Sequence, residues 1–136
     1  PEYKYGDSRL DFYMEKQDEK YLMEVKGCTL EIDGIGYFPD APSERAVRHL
    51  HELMHAVKQG YHCILAFVIA MPGVMVVRPN MTTHPAFGQA LSEAMAAGVE
   101  VWYLPCEITA DSIQIKGRKR KYYSVQDRLY PHVVIQ

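Results

Sequence analysis

Asp11 and the triplet Glu24-Val25-Lys26 are the residues of this 136-residue chain best suited to metal-assisted chemistry. On a strand, residues two apart share a face, so Glu24 and Lys26 project together. A hairpin partner strand can bring Asp11 beside Glu24. Two carboxylates and the Val25 carbonyl then make a hard oxygen site suited to Mg²⁺ or Mn²⁺. A cation held there polarises a phosphodiester and acidifies its bound water. Lys26 can orient that water or balance charge developing on the phosphate. Spacing by itself favours a plainer reading, in which Glu24 and Lys26 are solvated residues of a half-exposed strand.

A second constellation competes. His51-Glu52-Leu53-Met54-His55 matches the H-E-x-x-H pattern of zinc peptidases. No third ligand is signposted downstream. On a helical wheel, Val47, Leu50, Leu53 and Met54 gather on one core face. His51 and His55 then lie about 100° and 140° round from Leu50, on a flank shared with Glu44 and Arg48. An i, i+4 Glu44–Arg48 pair makes that a solvated flank, and zinc peptidase chemistry is the remote alternative.

These residues need elements to hold them. Asp11 to Met14 reads as a short strand, Lys16 to Lys20 as its turn, and Tyr21 to Lys26 as the next strand. Leu30 to Phe38 is extended and bent at Asp33-Gly34 and Gly36. Ser43 is a helix N-cap, and apolar residues from Ala46 to Val57 recur at helical spacing until Gly60 stops them. Cys63 to Ala70 is apolar on both faces, as a central strand covered on two sides must be. A second helix spans about Pro85 to Ala97 and ends at Gly98. Val99 to Leu104 and Ser112 to Ile115 add strands. The expected fold is α/β, a mixed sheet flanked by helices.

Composition excludes several classes. At 48% apolar and 24% charged, the chain is neither disordered nor fibrous, and its length suits one domain. Its net charge of −2 sets up no global field for nucleic acid. The longest apolar run, Cys63 to Met71, is too short to span a membrane, and no signal peptide is visible at Pro1-Glu2-Tyr3-Lys4. There is no initiating Met, which suggests a chain trimmed or excised from something longer. Three widely spaced cysteines point to reduced thiols and a cytoplasmic location.

Several longer strings decide between the two constellations. Glu2-Tyr3-Lys4-Tyr5-Gly6, Ser8-Arg9-Leu10-Asp11-Phe12, Met23 to Leu30 and Tyr37 to Arg45 strongly resemble the sugar fermentation stimulation protein A family. His49 to Met54, His84-Pro85-Ala86-Phe87 and Ala97 to Val101 continue the match, which covers roughly residues 2 to 115. The resemblance implies a PD-(D/E)XK nuclease-like domain with a restriction-endonuclease-like core. It makes Asp11, Glu24 and Lys26 the catalytic acid, acid and lysine, with Mg²⁺ or Mn²⁺ held by Asp11, Glu24 and the Val25 carbonyl. DNA or RNA is the implied partner, met by Arg9, Arg45 and His49. A homo-oligomer is compatible with the sequence, and a membrane partner is not expected. The alternative is a non-catalytic DNA-binding regulator of sugar metabolism.

There are departures from the family pattern. Family members place an OB-like domain before this core, and this sequence supplies none. His84 stands where an acidic capping residue is usual. The basic run Lys116, Arg118, Lys119, Arg120 and Lys121, with the aromatic end after it, reads as an extension over 116–136.

Other residues carry two readings. Arg45 and His49 lie about 220° and 260° round from Leu50, where they can meet a phosphate or simply solvate the helix. Asp40 suits a turn better than a third carboxylate. Cys28 suits a buried structural thiol better than a nucleophile. Trp102 and the tyrosines suit core and edge positions. The flank assignment yields a test: His51→Ala/His55→Ala should leave stability and metal content unchanged. Zinc found by elemental analysis in the parent and lost from the double variant would restore the peptidase reading.

Overall fold

The computed structural model describes the backbone of residues 3–5, 8–10, 12–108, 113–115, 119–121 and 134–135, and side chains over 12–106. In chain order the elements are β1 (Tyr3–Tyr5), β2 (Ser8–Leu10), β3 (Phe12–Lys16), β4 (Glu19–Cys28), β5 (Leu30–Ile32), β6 (Ile35–Phe38), α1 (Glu44–Lys58), β7 (His62–Ile69) and β8 (Val77–Pro79). There follow α2 (Pro85–Ala97), β9 (Glu100–Ile108), β10 (Ile113–Ile115), β11 (Lys119–Lys121) and β12 (Val134–Ile135).

Two tight hairpins follow the antiparallel β1–β2 pair. Gln17 and Asp18 turn β3 into β4 with φ of 53° and 66°, both positive. That backbone matches the twist of the strands it joins, so β3 and β4 pair up to the turn, ending at Lys16↔Glu19. Asp33-Gly34 does the same between β5 and β6 (φ 52° and 84°), and the Gly34 N–H donates to the Glu31 carboxylate. The bend expected between Leu30 and Phe38 is therefore a hairpin.

The main sheet runs in the order β12-β11-β9-β7-β4-β3, with β10 beside β9. β4, β7 and β9 are mutually parallel, and β3 and β11 join them antiparallel. Among the described residues the fold is thus α/β, with mixed sheets and two helices. The central strand expected from Cys63 onward is β7, between β4 and β9. Lys119–Lys121 from the basic run pair with Val101–Tyr103 of β9, so the sheet extends past residue 115 into the expected extension. Three residues of β-ladder suffice for this, and a charged run gives no apolar alternation to announce it.

Both helices match their signals. The Ser43 hydroxyl accepts the Ala46 N–H at 3.1 Å at the start of α1, and Gly60 follows its end at φ 94°. α2 begins with Pro85 and stops at Gly98, whose φ of 113° only glycine adopts readily. His84 makes no side-chain capping bond.

Register places Leu22, Glu24, Lys26 and Cys28 on one face, beside Cys63, Leu65, Phe67 and Ile69 of β7 and Val101 and Tyr103 of β9. The apolar members of these rows join Leu50 and Leu53 of α1 and Phe87, Leu91 and Ala94 of α2 in one buried core. Phe38 packs on Phe67 and Phe87, and the Tyr103 hydroxyl donates to the Val77 carbonyl at 3.2 Å.

A small sheet, β5-β6-β8, completes the fold. β8 is a three-residue strand that includes Pro79, and no sequence signal marked it. Asn80 follows it and uses every polar group it has. Its backbone N–H donates to the Phe38 carbonyl (2.8 Å) and its side-chain amide to the Pro39 carbonyl (3.0 Å). Its carbonyl accepts the His84 N–H (2.9 Å) and its side-chain oxygen the Thr83 N–H (3.2 Å).

Among the described residues, no helix is long and apolar enough to cross a membrane. Leu53 is fully buried in the core. Leu53→Ala should cost about 2–5 kcal/mol in urea unfolding. Ser43→Ala, losing only a cap, should cost about 1 kcal/mol. A reversed order would show that α1 is not seated as described.

Candidate active site

Along β4 the core-facing row reads Leu22, Glu24, Lys26, Cys28, so two charged residues interrupt an apolar stripe. The Glu24 side chain is 4% exposed and that of Lys26 14%. Taking a carboxylate and an ammonium out of water is costly unless they are paired. Here they are: Lys26 Nζ lies 3.1 Å from Glu24 Oε1. A third group joins them from α1, where His49 Nδ1 lies 3.0 Å from the same oxygen and 3.0 Å from Lys26 Nζ. His49 is itself buried, at 2% exposure.

The elements explain this meeting. Strand alternation aims Glu24 and Lys26 at the helix layer. Leu50 and Leu53 pin α1 over the sheet, which turns the flank of His49 down onto β4. The helical wheel placed His49 a quarter turn or more from the core centre. Its burial comes from the long side chains of β4 rising to meet it, which a wheel of one helix does not contain.

The other candidates sort out by position. Arg45, one turn before His49 on α1, is exposed. Asp40 is exposed in the bend before α1. His51 and His55 are exposed and Glu52 half-buried. Arg9 belongs to β2, which packs near β4 and α1, and its side chain lies outside the described residues. Asp11 also lies outside them. Its covalent neighbour Phe12 pairs with Met23, itself the neighbour of Glu24. Among the described residues, no group of three or more His, Cys, Asp or Glu could hold a metal ion. An open groove of about 420 Å³ lies between Ile32, Tyr37, Arg78, Met81 and Thr82 on the small sheet, and none of its lining residues belongs to the charged cluster.

Sequence reasoning paired Glu24 with Lys26 but did not find the contact of His49 with both. The signal available was weak: a histidine at the edge of an otherwise apolar helix face.

The described residues form an α/β domain whose mixed sheet carries a buried acid–lysine pair under α1. The family model "Sugar fermentation stimulation protein RE domain" matches residues 1–112. The chain belongs to the sugar fermentation stimulation protein family. It is 48% identical over 110 residues to the homologue from Desulfitobacterium hafniense (strain Y51), covering 81% of this chain and 48% of that one. The Clostridium beijerinckii homologue is 47% identical over 116 residues, 85% of this chain and 51% of its own length. The chain therefore spans about half the length of these curated relatives. Among solved structures, Pyrococcus furiosus SfsA in complex with Ca²⁺ superposes with a TM-score of 0.79 at 30% identity, over 85% of this chain and 50% of that one.

The thiols stand apart from this cluster. Cys28 is buried, its S–H donates to the Tyr37 carbonyl at 3.4 Å, and burial pushes its ionisation up. Burial pushes the Cys63 thiol up to about 12. An unfolded thiol ionises near pH 8.5. The stability held by protonated Cys63 is thus complete below that pH and falls as pH climbs toward about 12. At pH 8 the reactive thiolate is therefore a rare form of Cys63. Ellman's reagent should label the half-buried Cys106 first and Cys63 only on unfolding. Prompt labelling of Cys63 in native protein would contradict this burial.

Proposed function

We propose that this domain is a metal-dependent nuclease that hydrolyses phosphodiester bonds of DNA or RNA. The observation that carries the reading is the buried Glu24–Lys26 pair, a charged couple set in an apolar stripe where packing alone would place two aliphatic residues. The donor chemistry fits a hard cation. Glu24 offers a carboxylate, Val25 a carbonyl, and Asp11 is the second acid that the PD-(D/E)XK resemblance assigns. The similar Pyrococcus furiosus structure was determined in complex with Ca²⁺, another hard, oxygen-seeking ion. Mg²⁺ or Mn²⁺, when bound, supplies Lewis-acid polarisation of the scissile phosphate.

The chain's own residues supply the rest. Glu24 is held rigidly, since Lys26 and His49 both approach its Oε1. Lys26 offers an ammonium at the partly open edge of the cluster, placed to meet charge that develops on a phosphate. Arg45, exposed one turn before His49, suits contact with a neighbouring phosphate by charge-assisted hydrogen bonds. Arg9 is the further phosphate-binding candidate. The names of the relatives speak of stimulation of sugar fermentation, which also suits a regulator that binds DNA without cutting it.

Cleavage of labelled single- and double-stranded DNA and RNA in Mg²⁺ or Mn²⁺ decides between the two. The parent should cleave and Glu24→Ala should fall to background. Lys26→Met should lose about 100-fold or more in turnover while keeping metal affinity. Binding without any cleavage, or a Glu24→Ala variant as fast as the parent, would leave the regulator. In a separate binding titration, Arg45→Ala should weaken nucleic-acid binding and lower the salt slope by about 1. An unchanged slope would remove Arg45 from the interface.

A further inference from the structure

We infer that His49 is a positioning residue that fixes Glu24 through a single proton on Nδ1, so that Glu24 presents its other oxygen, Oε2, to a divalent cation. This rests on the metal-dependent reading above, and it assigns His49 a task other than meeting a phosphate. Three polar atoms lie in a tight triangle: Glu24 Oε1, Lys26 Nζ and His49 Nδ1, at 3.1, 3.0 and 3.0 Å. Their donor and acceptor roles are constrained. The lysine ammonium only donates, the carboxylate oxygen only accepts, and Nδ1 does whichever its tautomer dictates.

The Nε2–H tautomer would let Nδ1 accept from Lys26. It would also set a nitrogen lone pair against Oε1 at 3.0 Å, two acceptors facing each other in a site shielded from water. The Nδ1–H form instead donates to the carboxylate. Either bond is charge-assisted, but Glu24 at 4% exposure depends on donors around it, whereas Lys26 at 14% has an open edge for its remaining protons. Lys26 then turns its protons to the same oxygen, and the short Nζ···Nδ1 distance is two donors converging on one acceptor. Oε1 therefore receives two donors, one for each of its lone pairs. Coordination of a cation through Oε1 would require displacing one of them, so the carboxylate is oriented to use Oε2. Outer hydrogen bonds of this kind set the orientation of metal-binding carboxylates and histidines.

Burial supports a positioning role over contact with substrate. At 2% exposure the imidazole has no surface to offer a nucleic acid, whereas Arg45 on the same flank is exposed.

The test compares three substitutions in the 136-residue chain. Asparagine places its amide nitrogen near the position of Nδ1, glutamine near that of Nε2, and leucine fills the space without a donor. Mn²⁺ titration by calorimetry should show His49→Asn within about 3-fold of the parent and His49→Gln and His49→Leu weaker by about 10- to 100-fold. Thermal unfolding identifies any variant that is simply misfolded. Independently, ¹⁵N-detected imidazole spectra of the metal-free parent should show a proton on Nδ1 of His49. A spectrum of the Nε2–H tautomer would overturn the inference, as would equal Mn²⁺ affinity in all three variants. If the parent binds no Mn²⁺, the metal-dependent reading falls, and a proton on Nδ1 in the spectrum would still uphold the His49–Glu24 hold.

Discussion

One carboxylate in an apolar stripe constrains the arrangement around it. Glu24 lies between Leu22 and, beyond Lys26, Cys28, beneath a helix whose neighbouring contacts are leucines. A carboxylate withdrawn from water there is tolerated only with donors at hydrogen-bond distance. Lys26 meets that demand from two residues along the same strand. His49 meets it from above, which requires α1 to cross β4 at one height and one rotation. The apolar contacts of Leu50 and Leu53 supply that rotation, so packing and the polar cluster specify the same pose. A one-residue slip of β4 against β7 would turn both charges to the opposite face, away from His49.

Much of the framework could be read from local chemistry. α1, β7 and α2 each carry a period or a run with firm punctuation at Ser43, Gly60, Pro85 and Gly98, and all three formed where those signals lie. β4 proved longer than Tyr21 to Lys26, because Gln17 and Asp18 make a two-residue turn that lets pairing run to its base. That turn contains no glycine, so its tightness was hidden. β8 was invisible for another reason: three residues ending in a proline form a strand only when a neighbour such as β6 is already there. Lys119–Lys121 likewise become a strand only against the edge of β9.

The site was legible in part. Same-face geometry of Glu24 and Lys26 follows from strand alternation alone, and their shared burial depends on α1. His49 shows the limit of a single-element argument. A helical wheel ranks positions by apolar neighbours on the same helix, and a polar residue at the border goes to solvent by default. The tie was decided by a partner twenty-five positions earlier in the chain, Glu24. His51 and His55 needed no such partner, and their exposure agrees with the wheel.

Asn80 has a mechanical consequence. It grips Phe38 and Pro39, on the approach to α1, and Thr83 and His84, at the threshold of α2. The entry points of the two helices are therefore anchored to one amide side chain and its backbone. Losing Asn80 would release both approaches at once. The helix layer that lies over Glu24 is in this respect a single cooperative unit, and its amide protons should exchange with solvent as one block, with a common opening energy across α1 and α2.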